Sequence, residues 1–199
     1  MQMRVSEKLR AGACDRIDVV AALKRSEYYP LLLKAYDELR TEYLYQSRIH
    51  GQGHVERVML LGAVIAMQQG FSARETELLL LACSYHDIGR EDDRVDDAHG
   101  KRSADLLPSL PLPEISDSEL RCLRAAVATH STKDEMIERF ILAYRVPEED
   151  AGLCRRLCRA LKDADNLDRV RVHDLDVRHL RYPESKALEP TAEAIFSLT

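Results

Sequence analysis

The stretch Leu78-Leu79-Leu80-Leu81-Ala82-Cys83-Ser84-Tyr85-His86-Asp87-Ile88-Gly89 decides how this chain folds. Eight residues that read as the end of a buried helix run straight into a histidine and an aspartate. Packing alone gives no reason for an imidazole and a carboxylate at that point. Adjacent side chains converge on one metal ion where a helix ends, so the doublet directs attention to further ligands. Upstream is His54, in Ile49-His50-Gly51-Gln52-Gly53-His54-Val55-Glu56-Arg57-Val58. Downstream are His99 in Asp97-Ala98-His99-Gly100, His130 in Ala128-Thr129-His130-Ser131, and Asp165 in Lys162-Asp163-Ala164-Asp165-Asn166-Leu167-Asp168.

The periodicity around these residues is helical almost throughout, which predicts an all-α, single-domain helical bundle over 1–199. One or two helices suit 18–45, with a break at Tyr29-Pro30, because proline disfavours helix in the residue before it. A helix over 52–69 ends at Gly70. The next starts at Ser72, with Glu75 three residues on completing a capping box, and runs to His86. Residues 89–99 are polar, acidic and irregular. A short helix follows over 100–107, then a proline-rich loop from Pro108 to Pro113. Further helices are expected from Ser116 to about His130, over 133–144 and over 148–164, with a short one within 184–198. No repeat and no long linker divides the chain.

Residues three or four apart share a helix face. His54 aligns with Val58, Leu61 and Ile65; His86 with Leu79 and Ala82 or Cys83; His130 with Val127, Leu123 and Leu120; Asp165 with Leu161, Leu157 and Cys154. Cys158 is the alternative to Leu157 on the Asp165 face. Four candidates therefore sit on apolar stripes, each near a helix end, and in a bundle such stripes face one another. A carboxylate on a core stripe is costly unless it is paired or metal-bound. A single histidine on such a stripe is usually a satisfied core residue; the combination is not. His99 reads as a loop residue that swings over the site. His50, His173 and His179 read as surface residues.

Imidazole and carboxylate without thiolate suit Mn, Fe, Ni, Co or Zn and argue against calcium. His54, His86, Asp87 and Asp165 suffice for one divalent metal ion. His99 and His130 supply enough donors for two ions, with Asp87 placed to bridge them. Arg90, within a turn of the doublet, is the leading candidate to hold a phosphate bidentately, and Lys101 and Arg102 form a second candidate clamp. Asp168 lies one turn beyond Asp165 and is expected to support a ligand rather than be one. Arg57 and Arg169 are candidate partners for such a carboxylate.

The 199 residues include 29 Lys and Arg against 34 Asp and Glu, a net charge of −5, which gives no general attraction to nucleic acid or an anionic membrane. No nucleic-acid or membrane partner is expected; a homodimer is allowed. Cys14, Cys83, Cys122, Cys154 and Cys158 make an odd count without CxxC spacing, and no signal peptide stands at the start. Both favour reduced thiols and a cytoplasmic protein. Arg171, Arg178 and Arg181 make 171–182 locally basic, most simply as a solvated face.

Together His54, His86-Asp87 and Asp165 resemble the HD-domain superfamily of metal-dependent phosphohydrolases. The surroundings resemble it too: Gly51-Gln52-Gly53-His54, His86-Asp87-Ile88-Gly89-Arg90 and Asp163-Ala164-Asp165-Asn166-Leu167-Asp168. His99-Gly100 and His130 are similar to the extra histidines of the two-metal branch. The resemblance covers about 50–169, with N-terminal helices and a C-terminal extension packing on that core. It implies hydrolysis of a phosphoester or phosphoanhydride, of a nucleotide or related phosphorylated small molecule, by metal-activated water with Asp87 and Arg90 at its centre. Two other readings fit the ligand pattern: a di-iron oxygenase of the same fold, and a non-catalytic nucleotide- or metal-binding module. Nothing resembles the Gly-Tyr-Pro motif of the cyclic-di-GMP-hydrolysing branch.

Overall fold

α4 is the axis of the molecule. Every residue from His54 to Ala66 is buried, so this helix meets protein on all sides. The computed structural model describes residues 3–199, which form eleven α-helices and no strand. In chain order these are α1 (Val5–Arg10), α2 (Asp18–Lys24), α3 (Tyr28–Glu38), α4 (Gln52–Gln68), α5 (Ala73–Tyr85), α6 (His99–Leu106), α7 (Asp117–Thr129), α8 (Met136–Ala143), α9 (Ala151–Leu167), α10 (Pro183–Lys186) and α11 (Glu189–Leu198). α5 and α9 flank α4, α7 lies along both α5 and α9, and α6 packs on α7. The N-terminal helices and α11 close the remaining sides of α4.

Local chemistry explains the boundaries that aim the site. Ser72 accepts the Glu75 N–H and Glu75 accepts the Ser72 N–H, fixing the start of α5. Ser116 and Glu119 do the same for α7. Each box spares two N–H groups that an open helix end leaves unpaired.

Two expectations about local structure change. Pro30 does not break a helix; it lies in the first turn of α3, where the missing N–H would have had no helical partner, and the chain instead turns at Arg25–Glu27. His99 is not a loop residue but the first residue of α6. The residues before it, 89–98, are irregular. No helix of the described residues is long and apolar enough to cross a membrane.

Candidate metal centre

His86 and His130 occupy equivalent places, as the C-cap residues of α5 and α7. Each folds its ring back on its own helix: His86 Nδ1 donates to the Cys83 carbonyl at 2.9 Å and His130 Nδ1 to the Val127 carbonyl at 2.7 Å. His99 Nδ1 likewise donates to the Asp96 carbonyl, again three residues back. A carbonyl only accepts, so in the neutral rings the proton sits on Nδ1 and Nε2 presents a bare lone pair. His54, in the first turn of α4, turns Nδ1 to Asp168 Oδ2 at 2.7 Å. All four Nε2 atoms point inward.

They meet in two pairs. His54 and His86 Nε2 are 3.1 Å apart, and His99 and His130 Nε2 are 2.8 Å apart. Asp87 lies between the pairs and divides its oxygens. Oδ2 is 3.6 Å from His54 Nε2 and 3.7 Å from His86 Nε2, whereas Oδ1 is 3.1 Å from His99 Nε2 and 3.5 Å from His130 Nε2. Asp165, from the last turn of α9, brings Oδ1 to 3.4 Å from His54 Nε2 and 3.7 Å from His86 Nε2. It also groups with His86 and His130 as a set able to hold one ion. Its side chain is 23% exposed against 0–6% for the other five, so the centre opens toward solvent on the Asp165 side.

These residues fit divalent metal. Both Asp87 oxygens are buried without a hydrogen-bond partner, with Arg90 Nε at 3.0 Å from Oδ1 the one arginine or lysine cation beside them, and a buried carboxylate without hydrogen bonds is costly to hold in a core. Lone pairs of neutral imidazoles 2.8–3.1 Å apart repel unless a cation accepts both. Ligands each about 2.1 Å from one ion and at right angles stand about 3.0 Å apart, close to the spacings seen here. The C-terminal ends of α5, α7 and α9 also point their carbonyl dipoles at the cluster, which favours a cation there.

Electrostatics agree with this donor set. Burial pushes the His86 imidazole down to about 3, keeping it neutral. Burial alone would raise the Asp87 and Asp165 carboxyls, but positive charge on the surrounding imidazoles holds both well below the ordinary range, and that is the charge a bound ion would supply. For His54, burial and Arg171 act downward, yet the Asp165 and Asp168 carboxylates outweigh them and raise it.

The match is to a known pattern. Residues 51–170 fit the model of the HD domain, which spans more than half the chain. The chain belongs to the HD domain family. No curated protein and no solved structure matches it. Most of this family are metal-dependent hydrolases, and the six ligand candidates all fall within the matched segment.

Around the HD-family centre, the cations divide by what they touch. Arg57 grips Asp168 with Nε at 2.6 Å and Nη2 at 3.0 Å, so Asp168 is held by Arg57 while it holds His54. Arg169 plays no part there; it pairs with Asp174 at the surface. The cation that joins Asp168 is Arg171, with Nη1 3.1 Å from its carbonyl and 3.6 Å from Oδ2. Arg90 brings Nε to 3.0 Å from Asp87 Oδ1, yet that buried Nε–H finds no aligned acceptor. Lys101 pairs with Asp105, and Arg102 with Asp96 and the Gly89 carbonyl.

The structure also corrects some surface assignments. His50 is buried at 9% exposure, edge-on to His54, with Nδ1 3.0 Å from Asp93 Oδ1. The sequence signal was its spacing, four residues before His54, which puts the two close once α4 begins at Gln52. The 171–182 stretch is only in part a solvated face: Val172, His173, Asp174 and His179 are exposed, but of its three arginines only Arg178 is open, at 86%; Arg171 is 8% exposed and Arg181 15%, the latter held by Asp134 and Asp163. Lys162, not singled out by its sequence context, is fully buried against the turn after α7.

Proposed function

We propose that this chain is a metal-dependent phosphohydrolase that binds two ions and cleaves a phosphoester or phosphoanhydride of a small molecule, a nucleotide being the favoured class. The observation that carries the reading is Asp87: one carboxylate, free of hydrogen bonds, gives each oxygen to a different histidine pair. His54, His86 and Asp165 would hold one ion, His99 and His130 the other, with Asp87 shared. When bound, paired divalent ions lower the pKa of water and offset charge on phosphoryl oxygens.

The chain's own groups do the rest. Asp87, kept ionised, orients the attacking water between the histidine pairs. Arg90 stands beside Asp87, its buried Nε 3.0 Å from Oδ1, and is the nearest arginine or lysine to the centre for a phosphoryl oxygen. Lys101 and Arg102 are committed to Asp105 and Asp96 and support α6 and the acidic loop instead. The half-open Asp165 side is where substrate enters.

Purified without chelator, the protein should carry a first-row metal, and Asp87→Ala should lose it. With added Mn²⁺, a panel of nucleotides and bis(p-nitrophenyl) phosphate should show phosphate or nitrophenolate release under anaerobic conditions. Full metal content in Asp87→Ala overturns the centre. Substrate-dependent O₂ consumption without anaerobic turnover overturns the hydrolytic reading in favour of an oxygenase.

A further inference from the structure

Behind His130 lies a lysine that solvent does not reach. Lys162, on α9, is 1% exposed and is among the largest fully buried side chains of the protein. Its Nζ donates to the Thr129 carbonyl at 3.0 Å and to the Thr132 carbonyl, and it stands 3.1 Å from Asp134 Oδ1. An ammonium has three protons to give, and here it has three acceptors. Burying such a charge is costly even when it is fully paired, and a methionine would fill similar space without that cost. What the ammonium adds is a hold on two particular carbonyls. Thr129 and Thr132 bracket His130 and Ser131, at the negative end of the α7 dipole where a cation is favoured.

The same turn is tied from its other side. Ser131 Oγ donates to the Asp97 carbonyl at 2.9 Å and accepts the Gly100 N–H at 3.3 Å. Those residues flank His99. Asp134 meanwhile accepts Arg181 Nε at 3.1 Å and Nη2 at 2.8 Å, and the Arg181 main-chain N–H goes to Asp163 Oδ1 at 2.8 Å. The histidine pair His99–His130 is thus one unit, pinned by Ser131 in front and by Lys162 behind. The pair His54–His86 meets this unit through the edge-on contact of the His86 and His130 rings, 4.9 Å between centroids, but shares none of its hydrogen bonds: His54 is set by Asp168 and His86 by the Cys83 carbonyl.

We propose that Lys162 is a positioning residue for the ion held by His99, His130 and Asp87, and that it acts on that site without acting on the His54–His86 site. Arg181, through Asp134, braces it. The inference rests on the two-ion reading above.

Titration of metal-free protein with Mn²⁺, read by electron paramagnetic resonance, tests it. In the wild type the second equivalent should couple to the first through the shared carboxylate and suppress the isolated six-line signal. In Lys162→Met the first ion should bind as in the wild type and the second at least about tenfold more weakly. The six-line signal of one bound ion then persists at two equivalents. Asp134→Ala, at a half-exposed position, should weaken the second ion by a smaller factor, and it decides the matter if Lys162→Met does not fold. Wild-type-like coupling in Lys162→Met, or in Asp134→Ala where that variant must decide, overturns the proposal. Equal weakening of both ions also overturns it, by showing a general structural role. A wild type that takes one ion overturns the two-ion reading itself, a result the wild-type titration alone reveals.

Discussion

Gly100→Ala tests how closely the two helices carrying His99 and His130 must approach. A Cβ on Gly100 would lie 2.7 Å from Ser131 Oγ, 2.8 Å from the Val127 carbonyl oxygen and 3.0 Å from His130 Nδ1. The serine hydroxyl rotates away at the loss of its bonds to Asp97 and Gly100. The other two atoms are the ends of the His130–Val127 hydrogen bond, and they move only if α6 moves off α7. Overpacking of this kind costs about 1–3 kcal/mol. Against it stands the better helix propensity of alanine, worth up to about 1 kcal/mol. Two contacts below 3.0 Å, one to a main-chain oxygen, put the clash at about 2–3 kcal/mol, so it wins by about 1–2 kcal/mol, which for a chain of this size lowers the melting temperature by about 2–8 °C. Calorimetry in chelator measures this without the contribution of bound metal. Gly152→Ala is the control, since its Cβ would meet nothing within 4 Å, and it should melt at or above the wild type. Gly100→Ala should also bind its second Mn²⁺ more weakly, because the wedge enters between the ring nitrogen of His130 and the carbonyl that orients it. A variant as stable as the wild type, with second-ion affinity unchanged, would refute the reasoning.

Two further outcomes follow from the His54 side of the centre. Asp168→Asn keeps the shape but removes the charge behind His54 Nδ1, so metal affinity at the His54–His86 site should fall about 10–100-fold in a competition titration; unchanged affinity would show that Asp168 serves only Arg57. Metal and proton also compete for His54 Nε2, and Asp165 and Asp168 raise the His54 imidazole above its ordinary value. Affinity should therefore fall as pH drops through that raised value, by about tenfold per unit at the limit. In Asp168→Asn the fall should begin at lower pH, and a pH-independent affinity between neutral and mildly acidic conditions would contradict the assignment.

The helices were legible because their signals are local: period, serine caps with a glutamate three residues on, glycine after an end. Pro30 reads as a break because the rule for proline depends on its place in a helix, and only the fold shows that α3 begins at Tyr28. The ligand candidates stood out because polar residues on four apolar stripes conflict with packing, and that conflict is visible in one dimension. Their helpers were not. Lys162 follows the same logic, four residues beyond Cys158 on the buried face, but two of its three acceptors are carbonyls of a turn some thirty residues away, and carbonyls leave no mark in a sequence. Arg171 and His50 read as surface residues for a related reason. Each is polar in a polar stretch, and only the fold shows that the Ile49 carbonyl and Asp93 close over them.

The last two turns of α9 show why the distant aspartate of the pattern cannot be understood by itself. Asp165 faces the histidines, and Asp168, one turn on, faces His54 from behind. One turn before it Lys162 faces the His130 turn, so residues three apart on one helix face reach three parts of the centre. Asp163 points off this face and accepts the N–H groups of Arg181 and Tyr182. A rotation or axial shift of α9 would therefore disturb the entry-side ligand, the orientation of His54 and the turn of His130 together. Helix α9 is thus the element that keeps both histidine pairs in register with the one carboxylate they share. Substitutions that loosen its C-terminal end should act on metal binding before they act on the fold.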